Sequence, residues 1–161
     1  MRTMKSHYAA VFTTEIATIG LQFEESKLTR IDYLTNQASK APDSKLVANV
    51  KSKIEKYLKT PSETKDIKID YVLNVTEFQG EVLKQLQKIP CGETRTYGEI
   101  AKILKTSPRA VGNACRNNPL PIIIPCHRVV AAKGIGGYDG ATSGGLLSIK
   151  RMLLGSEGVY L

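Results

Sequence analysis

TYGEIAKILKTSPRAVGNACRNNP, residues 96–119, is the stretch on which the fold turns. TYGEIAKIL reads as a short helix over Tyr97 to Leu104, its apolar residues spaced for one face. After a brief break, Ser107 is a good N-cap and Pro108 sits at the favoured first helical position. A second helix then runs from Arg109 to about Arg116, so the pair has the spacing of a helix-turn-helix. Ala110, Gly112 and Ala114 give this second helix small side chains. They suit either tight helix–helix packing or close approach to a partner.

The next stretch, NPLPIIIPCHRVV (118–130), sets a thiol beside an imidazole after an apolar, proline-rich run. A cysteine is a nucleophile when something takes its proton or stabilises the thiolate. Adjacent side chains on an extended backbone point apart, so Cys126 and His127 can cooperate only if the chain turns, which Pro119, Pro121 and Pro125 favour. A catalytic imidazole also needs an orienting group, usually a carboxylate, and Glu157 is a candidate. The competing reading is an inert, buried cysteine. Farther on, KGIGGYDGATSGG (133–145) has six glycines in thirteen residues and reads as a loop, and LLSIKRMLLG (146–155) as a closing apolar helix.

Upstream the period changes. YAAVFT (8–13), IATIGLQF (16–23) and KLTRIDYL (27–34) alternate like strands of a small antiparallel meander. PDSKLVANVKSKIEKYLKTP (42–61) has a helical stripe of Leu46, Val47, Val50, Ile54, Tyr57 and Leu58, with Asp43 or Ser44 as N-cap. DIKIDYVL (66–73) alternates through Ile67, Ile69, Tyr71 and Leu73 and predicts one more strand. TEFQ (76–79) fits a capping box ahead of a helix that ends before Pro90.

Bulk properties narrow the classes. The chain has 161 residues, 42% hydrophobic and 24% charged, which favours one domain or two small ones sharing a core. No apolar run reaches the length of a membrane span or a signal peptide, so the expectation is a cytoplasmic protein with no membrane partner. Three cysteines without a CxxC, and only His7 and His127, argue against a disulfide framework or a zinc site. Of the net charge of +8, residues 95–133 hold +6, with seven basic residues against Glu99 alone. That is either a solvated face or a polyanion footprint.

IPCHRVV, preceded by RAVGNACRNNP and TYGEIA, resembles the signature of the O6-alkylguanine-DNA alkyltransferases, and the likeness covers residues 76–161. The resemblance implies an α+β protein of two domains. Residues 1–75 would form a small antiparallel sheet with a helix, on a ribonuclease H-like plan. Residues 76–161 would form a helical, winged helix-turn-helix-like domain carrying the active-site cysteine. It also implies a monomeric DNA-repair methyltransferase that flips O6-alkylguanine out of duplex DNA and takes the alkyl group onto its own cysteine without a cofactor; the sequence offers no Cys/His set for the stabilising zinc that some relatives carry.

By resemblance Cys126 is the acceptor, His127 removes its proton through a water, Glu157 orients the imidazole, and Asn118 braces the segment. Tyr97, Val129, Tyr138 and Asp139 would contact the base, Tyr97 protonating it at N3. Arg109 would fill the space of the flipped nucleotide, and Ala110, Gly112, Ala114 and Arg116 would meet the DNA. The resemblance leaves open whether O4-alkylthymine is a second substrate. An alkyl group on sulfur has no good route off, so each molecule should act once. A lesion-binding relative without transfer would carry tryptophan at 126. A regulator would need a dimerisation element, and a cysteine hydrolase a distant histidine.

Overall fold

The computed structural model describes residues 8–35, 37–64, 67–138 and 145–161. The chain combines helices with a small antiparallel sheet. Strands β1 (Ala10–Thr13), β2 (Thr18–Glu24) and β3 (Lys27–Leu34) form the meander in the order β1-β2-β3, with Leu21 opposite both Ala10 and Ile31. Ala10, Ile19, Leu21, Leu28 and Ile31 carry its buried side.

Helix α1 (Lys45–Lys59) begins at Ser44, whose side chain accepts from the Val47 N–H, and buries Val47, Val50, Ile54 and Tyr57. The one-turn α2 (Pro61–Thr64) follows. Residues 67–73 differ from the expected strand. Ile67, Ile69, Tyr71 and Leu73 do pack against the core, but only one bridge forms, Tyr71 with Leu28. The reason lies on the outer edge of β3. Leu28 bonds to Asp70 and Val72, whereas the Ile31 N–H donates at 2.9 Å to the Pro119 carbonyl. That edge is shared with the second half of the chain, and a full ladder has no room to grow.

Helix α3 (Glu77–Leu86) starts in the Thr76–Gln79 capping box and buries Val82, Leu83 and Leu86. A two-residue strand β4 (Arg95–Thr96) leads directly into α4 (Tyr97–Leu104). That helix has its own capping box, Thr96 with Glu99, and ends with Lys105 in the left-handed region. There Thr106 N–H reaches back to the Ala101 carbonyl at 2.9 Å, closing the helix end in the Schellman manner. Helix α5 (Pro108–Arg116) follows, with Ser107 as N-cap and Pro108 in its first turn. Strand β5 (Val129–Val130) and α6 (Gly145–Ser156) complete the chain.

Candidate active site

The segment before Cys126 is folded back on itself. Asn118, buried, donates from its amide to the Ile124 carbonyl at 2.9 Å and accepts from the Leu120 N–H at 3.0 Å. Ile124 N–H bonds to the Leu120 carbonyl at 2.9 Å, and Ile122 between them sits at φ 77. A β-branched residue there carries backbone strain, which the surrounding bonds hold in place. Pro125, at φ −78 and ψ 67, forms an inverse γ-turn, with Cys126 N–H on the Ile124 carbonyl at 2.7 Å. Cys126 to Arg128 then make one 3-10 turn, so the backbone does turn at the thiol and imidazole. Cys126 is 6% exposed and His127 fully buried.

His127 Nε2 lies 3.0 Å from Glu157 Oε2. Arg128 grips the same carboxylate as a fork, Nε to Oε1 at 2.9 Å and Nη2 to Oε2 at 2.8 Å, and donates through Nη1 to the Ile89 carbonyl at 2.7 Å. Tyr57, from α1, donates its hydroxyl to Oε2 as well. Burial alone would push Glu157 toward its neutral form. The hydrogen bonds from His127 and Arg128, with the charge of His127 and the Tyr57 hydroxyl, outweigh burial and hold it well below the carboxylate range.

An ionised carboxylate only accepts, so the imidazole proton sits on Nε2 and the lone pair on Nδ1. Nδ1 is buried and has no hydrogen-bond partner among the described residues. Burial, the largest influence, holds His127 below its ordinary value, with Arg128 and Lys150 adding to the effect and Glu157 opposing it. The ring is neutral near pH 7 and has one lone pair to offer.

A second cluster surrounds the thiol. Strand β5 pairs in parallel with β4, Val129 with Arg95 and Val130 with Thr96, which fixes the start of α4 beside the cysteine segment. Tyr97, Cys115, Cys126 and Lys150 all lie within electrostatic reach of one another. Burial and the two sulfurs push Tyr97 up to about 12, and burial pushes Cys115 up too. Lys150, fully buried in α6, donates to the Val129 and Gly137 carbonyls at 2.7 Å each. Burial lowers it to about 8, against the pull of both sulfurs.

Tyr97 donates its hydroxyl to the Gly137 carbonyl at 3.4 Å. The loop comes so close that a Cβ on Gly136, at φ +77, would stand 3.0 Å from the Tyr97 ring and 3.1 Å from the Ala131 nitrogen. Val129 is fully buried beneath this layer. Tyr138 is buried, with its hydroxyl 2.6 Å from that of Tyr33 in β3. Asp139 lies outside the described residues.

On α5, Arg109, Asn113 and Arg116 are exposed, and Ala110 and Gly112 half-buried. A Cβ on Gly112 would meet nothing within 4 Å, so this face is open. Ala114 does not share it: at 2% exposure it packs in the core beside Val111 and Cys115. The helical period explains this, since position 114 falls three residues after Val111, on the inward stripe. Arg128 likewise leaves the basic footprint, because its guanidinium is committed to Glu157.

Sequence reasoning missed Tyr57, Arg128 and Lys150 as site residues. Lys150 had a signal, a cation on the apolar stripe of a helix between Leu147 and Leu154. Tyr57 had none, being one aromatic among other core residues.

Residues 77–159 match the family model of the 6-O-methylguanine DNA methyltransferase, DNA binding domain. A methylated-DNA–protein-cysteine methyltransferase of Archaeoglobus fulgidus is 47% identical over 108 residues, 66% of this chain and 72% of that one. One from Methanosarcina acetivorans is 38% identical over 159 residues, 94% of this chain and 98% of its own. Among solved structures, the Mycobacterium tuberculosis OGT in complex with DNA superposes with a TM-score of 0.77 at 35% identity, covering 92% of this chain and 91% of that one. The matched span holds Tyr97, α5, the Cys126–His127 turn and Glu157, and the likeness to whole relatives takes in the sheet and α1 as well. The chain belongs to the methylated-DNA–protein-cysteine methyltransferase family.

Proposed function

We propose that this protein repairs O6-alkylguanine in double-stranded DNA by moving the alkyl group onto Cys126 Sγ, once per molecule, after flipping the base out of the helix. The observation that carries the reading is the lone pair of His127 Nδ1, a buried, neutral base locked in one tautomer by Glu157 in the residue next to a cysteine.

The thiol proton passes through a water to Nδ1, and the thiolate attacks the alkyl carbon. The sulfur–carbon bond forms as the carbon–O6 bond breaks. The departing guanine takes a proton at N3 from the Tyr97 hydroxyl, which leaves the Gly137 carbonyl to reach it. The Tyr97 phenolate then takes a proton from solvent and the His127 imidazolium returns one to solvent, so both groups regain their starting forms. Lys150 and Asn118 do not touch the base; they hold the carbonyls of Val129, Gly137 and Ile124 that shape the pocket. The product is a thioether without a leaving group, so the molecule is consumed.

Arg109 enters the duplex in place of the flipped nucleotide, while Ala110, Gly112 and Arg116 meet the groove and the backbone. Flipping costs a few kcal/mol, and this face offsets it. Residues 1–75 are read as the ribonuclease H-like unit, and residues 76–161 as the winged helix-turn-helix-like unit that carries the thiol. None of the three cysteines is bridged, which fits a reducing cytoplasm, and the protein is read as acting as a monomer.

Incubation with excess O6-methylguanine duplex, followed by peptide mass spectrometry, tests the reading. One added methylene on the Cys126 peptide, and none on Cys91 or Cys115, is expected. Turnover beyond one equivalent, or label elsewhere, refutes it.

A further inference from the structure

The carboxylate of Glu157 is crowded in an uneven way. Arg128 Nε donates to Oε1, whereas Oε2 faces three donors: Arg128 Nη2, His127 Nε2 and the Tyr57 hydroxyl; the Cys91 thiol also hydrogen-bonds the carboxylate. A carboxylate oxygen has two lone pairs to share. The donors on Oε2 therefore compete, and each weakens the others. Tyr57 is fixed in that competition. It is 1% exposed, and α1 packs against α6, whose C-terminal end leads into Glu157.

We propose that Tyr57, reaching in from the first half of the chain, is a positioning residue of the transfer site, whose hydroxyl limits the pull of Glu157 on His127 and keeps the imidazole neutral. The inference rests on the alkyl-transfer reading above. A tighter bond from Nε2–H to an ionised carboxylate stabilises the imidazolium. An imidazolium carries a proton on Nδ1 and can take none from Cys126.

The other charged and titratable groups around the ring leave this balance to Glu157. From its own turn come Cys126 and Arg128. From α6 comes Lys150, which disfavours the imidazolium, as Arg128 does. Cys91, after α3, couples to Glu157 and Arg128, and α1 contributes Tyr57 itself. Among these neighbours Glu157 draws a proton toward the ring, and Tyr57 moderates it by occupying the same oxygen.

The test uses the free base O6-benzylguanine, so that DNA binding plays no part, and follows benzylation of Cys126 against pH. In Tyr57→Phe the acidic limb of the rate should move up by about one pH unit, which slows the reaction about tenfold below the limb and leaves the plateau near its parent value. Replacing Tyr57 with 3-fluorotyrosine, a stronger donor of nearly the same size, should move the limb down.

The limb belongs to the Cys126–His127 pair, so ring nitrogen shifts of His127, assigned with a His7→Gln variant, should show the same two displacements without substrate. An unmoved limb and unmoved ring titration in a folded Tyr57→Phe protein would reduce Tyr57 to packing. If that variant does not fold, a fluorotyrosine protein without the downward shift overturns the proposal equally. Should the parent chain take no benzyl group on Cys126 at any pH, the transfer reading fails, while the ring titration still decides whether Tyr57 governs His127.

Discussion

Asn118 and Ile124 are joined across six residues by a 2.9 Å hydrogen bond from the side-chain amide to the carbonyl, inside a segment where almost nothing reaches solvent. The same amide group accepts from Leu120 N–H, so a single side chain satisfies two backbone groups of the turn that delivers Cys126.

Replacing Asn118 by alanine strands both groups. Each buried, unsatisfied backbone group costs about 1–3 kcal/mol. Asn118→Ala should therefore lower the unfolding free energy by about 2–6 kcal/mol and slow benzylation of Cys126 as the turn loosens. Asn118→Asp keeps the acceptor for Leu120 but turns an ionised oxygen toward the Ile124 carbonyl, and should be no better than alanine. Urea titration with the transfer rate on the same samples checks both effects.

The Arg128–Glu157 fork makes a second, stronger claim. Both side chains are shielded from water, so removing the arginine leaves a buried carboxylate short of a countercharge. Arg128→Met should destabilise the protein by about 3–5 kcal/mol. Arg128→Lys restores charge without the fork and should recover only part of the loss. The double change Arg128→Met with Glu157→Gln should be milder than the single one in stability, though not in transfer.

Stability should depend on pH through His127 and Glu157. His127 is held below its ordinary value of 6.5, so the unfolded chain binds a proton there first. Its contribution is complete above that value and is lost as pH falls toward the depressed native value. Glu157 is held below its ordinary 4.5, and its contribution is complete above that and lost at lower pH still. The unfolding free energy should therefore fall in two stages on acidification, the first starting near neutrality. His127→Gln should abolish the first stage and leave much of the second, as denaturant titrations at several pH values would show.

Local features were the legible ones. The N-cap at Ser107, the capping box at Thr76 and the ends of α4 depend on residues within a few positions, and the meander shows in its period of two. The strand expected at 66–73 has the right alternation but lost its ladder, because Pro119 claims part of the β3 edge. No local pattern announces that. Tyr57 and Glu157 are 100 residues apart, and Tyr33 and Tyr138 are 105 apart. Their pairings follow from how the halves close on each other. Ala114 was misplaced for a simpler reason: small residues suit a core and a groove equally well.

The last prediction separates extrusion of the base from the chemistry on it. Arg109 stands exposed in the first turn of α5, directly after Ser107 and Pro108, with no ion pair among the described residues. Inserted into duplex DNA it would replace the stacking and pairing lost when the damaged guanine leaves, a cost of a few kcal/mol. Arg109→Ala should then slow repair in duplex about a hundredfold or more, while benzylation by free O6-benzylguanine hardly changes. Tyr97→Phe should instead slow both, since the missing proton donor acts on the base wherever it comes from. Arg116→Ala should weaken duplex binding and flatten its salt dependence by about one counterion, without altering the free-base rate. Equal loss on both substrates for Arg109→Ala would assign Arg109 to the pocket or the fold, and α5 would then need another residue to fill the stack.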